Sequence, residues 1–173
     1  MSTHDHSVQF YQDNTFLTAS VARFIREGLQ GNSPVIIVAT AQHRAELHKV
    51  LTLDEKNNDN LKFLDAAVLL STFMVDGMPD KLLFKNVVGG LVGEASKHGP
   101  VRVFGEMVAL LWAKGETRAA LRLEELWNWL MEQQSLSLLC AYPLANLSSE
   151  KADEHMRDIS RLHTHSHTQS ADS

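Results

Sequence analysis

Pro34-Val35-Ile36-Ile37-Val38-Ala39-Thr40 places five apolar residues in an unbroken row. A strand with one wet face alternates, whereas an unbroken run is expected of a strand covered on both faces, as in a parallel sheet. Leu136-Ser137-Leu138-Leu139-Cys140-Ala141, closed by Tyr142-Pro143, reads the same way. Residues 8–11, 61–64 and 101–104 are weaker strand candidates.

Helical stretches separate these runs. Asn14 is placed to cap a helix with Leu17, Val21, Phe24 and Gly28 on its apolar stripe, ending near Gly31. Thr40 is placed to cap a second, through Leu47, Val50 and Leu51. Residues 66–75 and 80–97 read as two more, split by Asp76-Gly77-Met78-Pro79, with Asp80 as the cap of the longer one. The clearest helix spans 116–134, where Ala119, Leu123, Leu126 and Leu130 recur at helical spacing. Strand and helix alternate from end to end. The expectation is an α/β fold: a mostly parallel sheet of about five strands with helices on both faces.

The chain has 173 residues, enough for one domain with a real core but tight for two. Hydrophobic residues make up 44% and charged residues 21%, a globular balance. A net charge of −5 argues against sequence-independent binding to DNA or to an anionic membrane, because both need a basic face. One cysteine excludes an internal disulfide framework and a Cys-cluster zinc site. The start, Met1-Ser-Thr-His-Asp-His-Ser-Val-Gln-Phe10, does not read as a signal peptide, and no apolar run reaches membrane-spanning length. A cytoplasmic protein is the expectation. Residues 1–147 read as the folded unit. Residues 148–173 read as a short helix, within 148–162, and a His-rich tail expected to be disordered.

The chemistry-bearing residues are scattered. Neither GxxxxGK[ST] nor GxGxxG is present, and the first strand-to-helix turn, Gln12-Asp13-Asn14-Thr15, has no glycine or lysine. Asp13 would repel a phosphate. No cofactor is expected. Gly105-Glu106 follows a strand, at the carboxyl end where α/β folds place ligands. Glu106 reads either as an acid, base or acceptor, or as a carboxylate stabilising the helix that follows. Trp112, Trp127 and Trp129 read as core or as the wall of an aromatic pocket, and Glu124 shares a face with Trp127. His43 and Arg44 begin the second helix, where a strand-end pocket would open. Cys140 reads as an inert core thiol, and His163, His165 and His167 as a solvated string. No metal is expected. With no GxSxG elbow, hydrolase chemistry has no support.

Several segments resemble the MEDS domain, a sensory domain named for methanogens, methylotrophs and the dichloromethane regulator DcmR. They are His6-Ser-Val-Gln-Phe-Tyr11, Phe24-Ile25 with Gly28-Leu29, Leu64-Asp65-Ala66, Val101-Arg-Val-Phe-Gly-Glu-Met107, Leu123-Glu124 with Leu126-Trp127-Asn128, and Leu139-Cys140-Ala141-Tyr142-Pro143. The resemblance covers about residues 5–147 and implies a RecA/KaiC-like core without a P-loop. It implies a non-enzymatic sensor of a small organic ligand, of the hydrocarbon-derivative kind. Such domains usually sit beside a DNA-binding or histidine-kinase module. No segment after residue 147 is long enough to be an output domain, so the signal is expected to pass in trans to a partner such as a histidine kinase or regulator, without direct contact with nucleic acid or membrane.

Candidate liners of a strand-end crevice are His6, Tyr11, Arg44, Glu106, Trp112, Glu124, Trp127 and Tyr142. The competing reading is a scaffold, self-assembling into a homo-oligomer or docking on a partner, that regulates a kinase or transcription system without a ligand.

Overall fold

Parallel pairing organises the molecule. The computed structural model describes residues 5–147 and 152–170. In chain order the elements are β1 (His6–Tyr11), α1 (Asn14–Gln30), β2 (Val35–Ala39), α2 (Ala41–Val50), α3 (Leu53–Lys56), β3 (Leu61–Asp65) and α4 (Ala66–Ser71). They continue with β4 (Met74–Val75), β5 (Met78–Pro79), α5 (Lys81–Ala95), β6 (Val101–Gly105), α6 (Met107–Ala113), α7 (Thr117–Gln133), β7 (Leu136–Pro143), α8 (Ala152–Ser160) and β8 (His165–Thr168). One sheet has the order β3-β2-β6-β7-β1-β8, and every pairing in it is parallel.

The expected α/β architecture is present, with helices on both faces. Val35, Ile37 and Ala39 of β2 and Leu139 and Ala141 of β7 pack under α1 and α2. Ile36 and Val38, with Val8, Phe10, Val101, Val103, Leu138 and Tyr142, face α4 to α8. Both alternating sets of β2 and β7 are therefore buried, which is why their runs are continuous. Burying residues such as Val35, Ile37 and Leu138 stabilises the fold by roughly 1.5–3 kcal/mol each, before the entropy of ordering them. Among the described residues no helix is long and apolar enough to cross a membrane.

Local chemistry sets the element boundaries. Thr40 and Asp80 cap α2 and α5 as expected, accepting from His43 N and Leu83 N. The cap of α1 is Asp13, which accepts from Phe16 N at 2.8 Å, so Asn14 is the first helical residue and its side chain is turned elsewhere. The helix expected over 66–75 stops at Ser71. The chain then reverses in the β4–β5 hairpin, whose tip holds Asp76 and Gly77 at φ of 52° and 81°, the left-handed values that two-residue hairpin turns require.

The largest departure from expectation is the tail. Residues 165–168 form a sixth strand along β1, with all four side chains exposed. Backbone pairing holds it, so it needs no apolar side chains. It is clamped at both ends. Thr164 N donates to His6 O at 2.5 Å, and its hydroxyl accepts from His6 N at 3.1 Å. Gln169 is buried, and its N donates to Phe10 O at 2.8 Å. The solvated reading holds for the exposed His165 and His167, but the His163 side chain is fully buried.

Candidate functional site

Neighbouring strands β2 and β6 are left by the chain in opposite directions. From β2 it crosses one face through α2 to β3; from β6 it crosses the other face through α6 and α7 to β7. Such a reversal opens a crevice beyond the carboxyl ends of the strands, where open α/β sheets place ligands. A cavity of about 310 Å³ lies there, lined among others by Tyr11, Asn14, Thr40, His43, Glu106 and Leu110. Larger grooves, of about 650 and 450 Å³, run along α1–α2 and beside α5. The smaller crevice is the chemically furnished one.

Glu106 directly follows β6 and is buried. Its carboxylate does not cap its own helix, α6. Instead one oxygen accepts from Thr40 N at 2.9 Å, and the other meets His43 Nδ1 at 2.5 Å. His43 Nε2 lies 3.0 Å from Asn14 Oδ1. One chain of polar contacts thus spans Asn14, His43, Glu106 and the main chain after β2. Tyr11 sets its ring edge-on to His43 at 6.3 Å. Burial, then the Glu106 charge, raises the Tyr11 phenol well above its ordinary value. Phenol, carboxylate and imidazole beside Ala109, Leu110 and Ala113 give a small site with an apolar wall and a few fixed polar groups.

The remaining expected liners lie elsewhere. Arg44 is engaged with Asp65 at 2.7 Å, on the side of the sheet end toward β3. Trp127 is wholly buried and packs edge-on against Phe84 at 5.3 Å, as core. Trp112 meets the rings of Tyr142 and His155 at 5.8 and 5.1 Å.

His6, Glu124 and Tyr142 come together in a second, fully buried cluster between β1, β7 and α7. Glu124 accepts from Tyr142 OH at 3.2 Å and from Cys140 Sγ at 3.3 Å, and it lies 3.4 Å from His6 Nε2 and 2.6 Å from His163 Nε2. Burial alone would raise the Glu124 carboxyl, but His163 and then His6 outweigh it and hold the group well below the usual carboxylate range. Burial, then Glu124, pushes the Cys140 thiol and the Tyr142 phenol up. Cys140 is a buried thiol in an apolar strand, as expected, and its sulfur also forms one wall of the polar cluster.

Sequence reasoning put His43 where the pocket opens but left it and Asn14 out of the liners, and passed over Cys140 and His163 as polar partners. The available signal was Glu124 itself, a charge inside the buried stripe of α7.

No curated protein matches the chain. A family model does, that of the methanogen/methylotroph, DcmR sensory domain, over residues 5–164. The match runs beyond residue 147 and takes in His163. It spans the sheet from β1 to β7 and both polar clusters, and on it the chain belongs to the MEDS family of sensory domains.

Proposed function

We propose that this chain is a non-enzymatic sensory module whose strand-end crevice takes a small organic molecule and whose occupancy is read by a protein partner such as a histidine kinase or regulator. The observation that carries this reading is the Glu106–His43–Asn14 chain beneath an open apolar-walled space. Polar groups fixed before binding orient a small ligand without the entropy of ordering them at that moment. A scaffold would have no need of such a space and could fill it with side chains. Descent from a RecA/KaiC-like core belongs to the same proposal: that ancestry would leave the crevice where nucleotides once bound.

The test is native mass spectrometry of the purified chain, followed by thermal-shift titration with dichloromethane and methanol as probes, on the wild type and on Glu106→Gln. A hydrogen bond to a charged group is worth roughly 1.5–3 kcal/mol, so the variant should bind at least about tenfold more weakly with its circular dichroism unchanged. Unchanged affinity removes Glu106 from the site. A protein that carries no small mass and responds to neither probe, but forms a defined oligomer, favours the scaffold.

A further inference from the structure

We propose that His6, Glu124, Cys140 and His163 form a buried site for one zinc-like divalent transition-metal ion. Their ligand atoms, two imidazole nitrogens, a carboxylate oxygen and a thiol sulfur, all lie within 4.8 Å of one another. His6 begins β1, Glu124 lies in α7, Cys140 in β7, and His163 follows α8. Residues from the two ends of the chain and from the α7–β7 unit converge on one point.

The hydrogen bonds behind the histidines fix which nitrogen faces inward. Asn128 Nδ2 donates to Leu162 O at 2.8 Å, which turns Asn128 Oδ1 toward His6 Nδ1 at 2.7 Å. An amide oxygen only accepts, so His6 Nδ1 carries a proton and Nε2 is left for the cluster. His163 Nδ1 donates in the same way to Ile159 O at 2.6 Å. Both rings thus present Nε2 inward, each held by an acceptor behind it. Metal-bound histidines are oriented by this arrangement.

Two further observations point to a cation. His163 Nε2 is buried and makes no aligned hydrogen bond, although it lies 2.6 Å from Glu124 Oε2. A cation bound between the ring nitrogen and the carboxylate oxygen would satisfy both. Around a tetrahedral zinc, with bonds of about 2.0–2.1 Å to nitrogen or oxygen and about 2.3 Å to sulfur, ligand atoms stand roughly 3.3–3.6 Å apart. His6 Nε2 to Cys140 Sγ is 3.5 Å, His6 Nε2 to Glu124 Oε1 is 3.4 Å, and Cys140 Sγ to Glu124 Oε1 is 3.3 Å.

The mixed sulfur, nitrogen and oxygen set suits zinc better than magnesium or calcium, which prefer oxygen alone. On binding, the Cys140 thiol releases one proton to solvent and its thiolate bonds to the metal. Thiolate, carboxylate and two neutral imidazoles around a divalent ion sum to zero charge, which suits a buried site. A lone cysteine suffices because the histidines and the carboxylate complete the set.

The experiment uses the full chain, stripped with a chelator and reloaded with zinc or cobalt(II). Expected are one zinc per chain and a cobalt spectrum with the strong visible bands of a tetrahedral site plus a thiolate charge-transfer band. Cys140→Ser should lose the charge-transfer band, and Asn128→Ala should weaken zinc binding about 10–100-fold. The double variant His165→Ala/His167→Ala, which alters only exposed tail histidines, should keep full binding. A folded Cys140→Ser protein with an unchanged cobalt spectrum overturns the proposal, as does loss of binding in the tail double variant. Should Cys140→Ser fail to fold, the wild type decides: zinc must raise its unfolding midpoint. No rise, together with no cobalt bands in folded protein, overturns the site.

Discussion

Gly28→Ala should destabilise the protein, although it replaces glycine by the best helix former inside a helix. Alanine in place of glycine gains about 1 kcal/mol in a helix interior. Against this, a Cβ on Gly28 would stand 2.5 Å from Val35 Cγ2 and 2.9 Å from Arg102 Cδ. Val35 cannot yield. It is wholly buried, and its branched side chain is stiff about χ1. Its strand is paired on both sides, with β3 and β6. Arg102 can move only by disturbing its bond to Phe24 O at 3.1 Å and its stacking 4.1 Å over the Phe24 ring. Overpacking of this kind costs about 1–3 kcal/mol, and the clash here belongs in the upper part of that range. The net loss is then about 1–2 kcal/mol, which for a chain of this length lowers Tm by roughly 2–8 °C. Gly90→Ala is the internal control, since a Cβ there meets nothing within 4 Å in the same kind of helical setting. It should stabilise by about 0.5–1 kcal/mol. Urea unfolding of both variants by circular dichroism measures the two signs. A Gly28→Ala protein as stable as wild type would refute the claim that α1 sits on the sheet only through a missing side chain.

The chain has two tyrosines, Tyr11 and Tyr142, and burial raises both phenols. A raised folded value means stability present below the ordinary tyrosine range near 10 and lost as pH climbs above it; phenolate absorbance should therefore appear together with loss of circular dichroism, and a reversible phenolate step near pH 10 in folded protein would contradict this. Gln169→Ala removes the side-chain contacts to Gln12 N, Asp13 N and Asp13 Oδ2, so hydrogen exchange at Thr164 and Gln169 should speed up while β2 and β6 stay protected; equal protection of the tail in both proteins would show that Gln169 does not hold it. His43→Ala leaves Glu106 buried with, among the described residues, Thr40 N as its donor and should cost about 1–3 kcal/mol in chemical denaturation; a loss under about 0.5 kcal/mol would show that the carboxylate draws little from the imidazole.

How much was legible in the sequence varies with what each feature depends on. Unbroken apolarity in β2 and β7 announces burial on both faces, because a side chain's environment is set by its own character. Thr40 and Asp80 announce helix starts, because a cap acts three residues along the chain. The sixth strand was not legible. Pairing between β8 and β1 is carried by main-chain groups that every residue has, so His165-Ser-His-Thr168 looks like any polar tail. The polar clusters were half legible for a related reason. Glu106 and Glu124 stand out locally, one after a strand and one inside an apolar stripe. Their partners do not, because His43 is 63 residues from Glu106 and His6 is 118 from Glu124. No periodicity reports on such distances.

The tail also bears on what the crevice can accept. In an anion-binding turn, the amides opening the first helix point at the ligand. Here amides on both sides of Asp13 are already engaged. Gln169 Oε1 takes Gln12 N at 2.6 Å, and Asp13 Oδ1 takes Phe16 N at 2.8 Å. Gln169 Nε2 then donates to the other Asp13 oxygen at 2.8 Å. The Gln169 bond first, and the Phe16 amide second, hold the Asp13 carboxyl below its ordinary value, so it stays charged. A phosphate arriving there would have to displace a buried glutamine and approach a carboxylate. Gln12 and Asn14, on either side of Asp13, line the crevice, and Glu106 lines it from the junction of β6 and α6. One carboxylate, Glu106, thus lines the space, and a second, Asp13, belongs to the residue between two of its liners. On the proposed reading these carboxylates would disfavour an anion at this strand end, and the apolar wall of Ala109, Leu110 and Ala113 would favour a small, neutral, largely apolar guest. Within the proposed sensory role, the chemistry that the first strand-to-helix turn has in place of a phosphate loop is itself a specificity device.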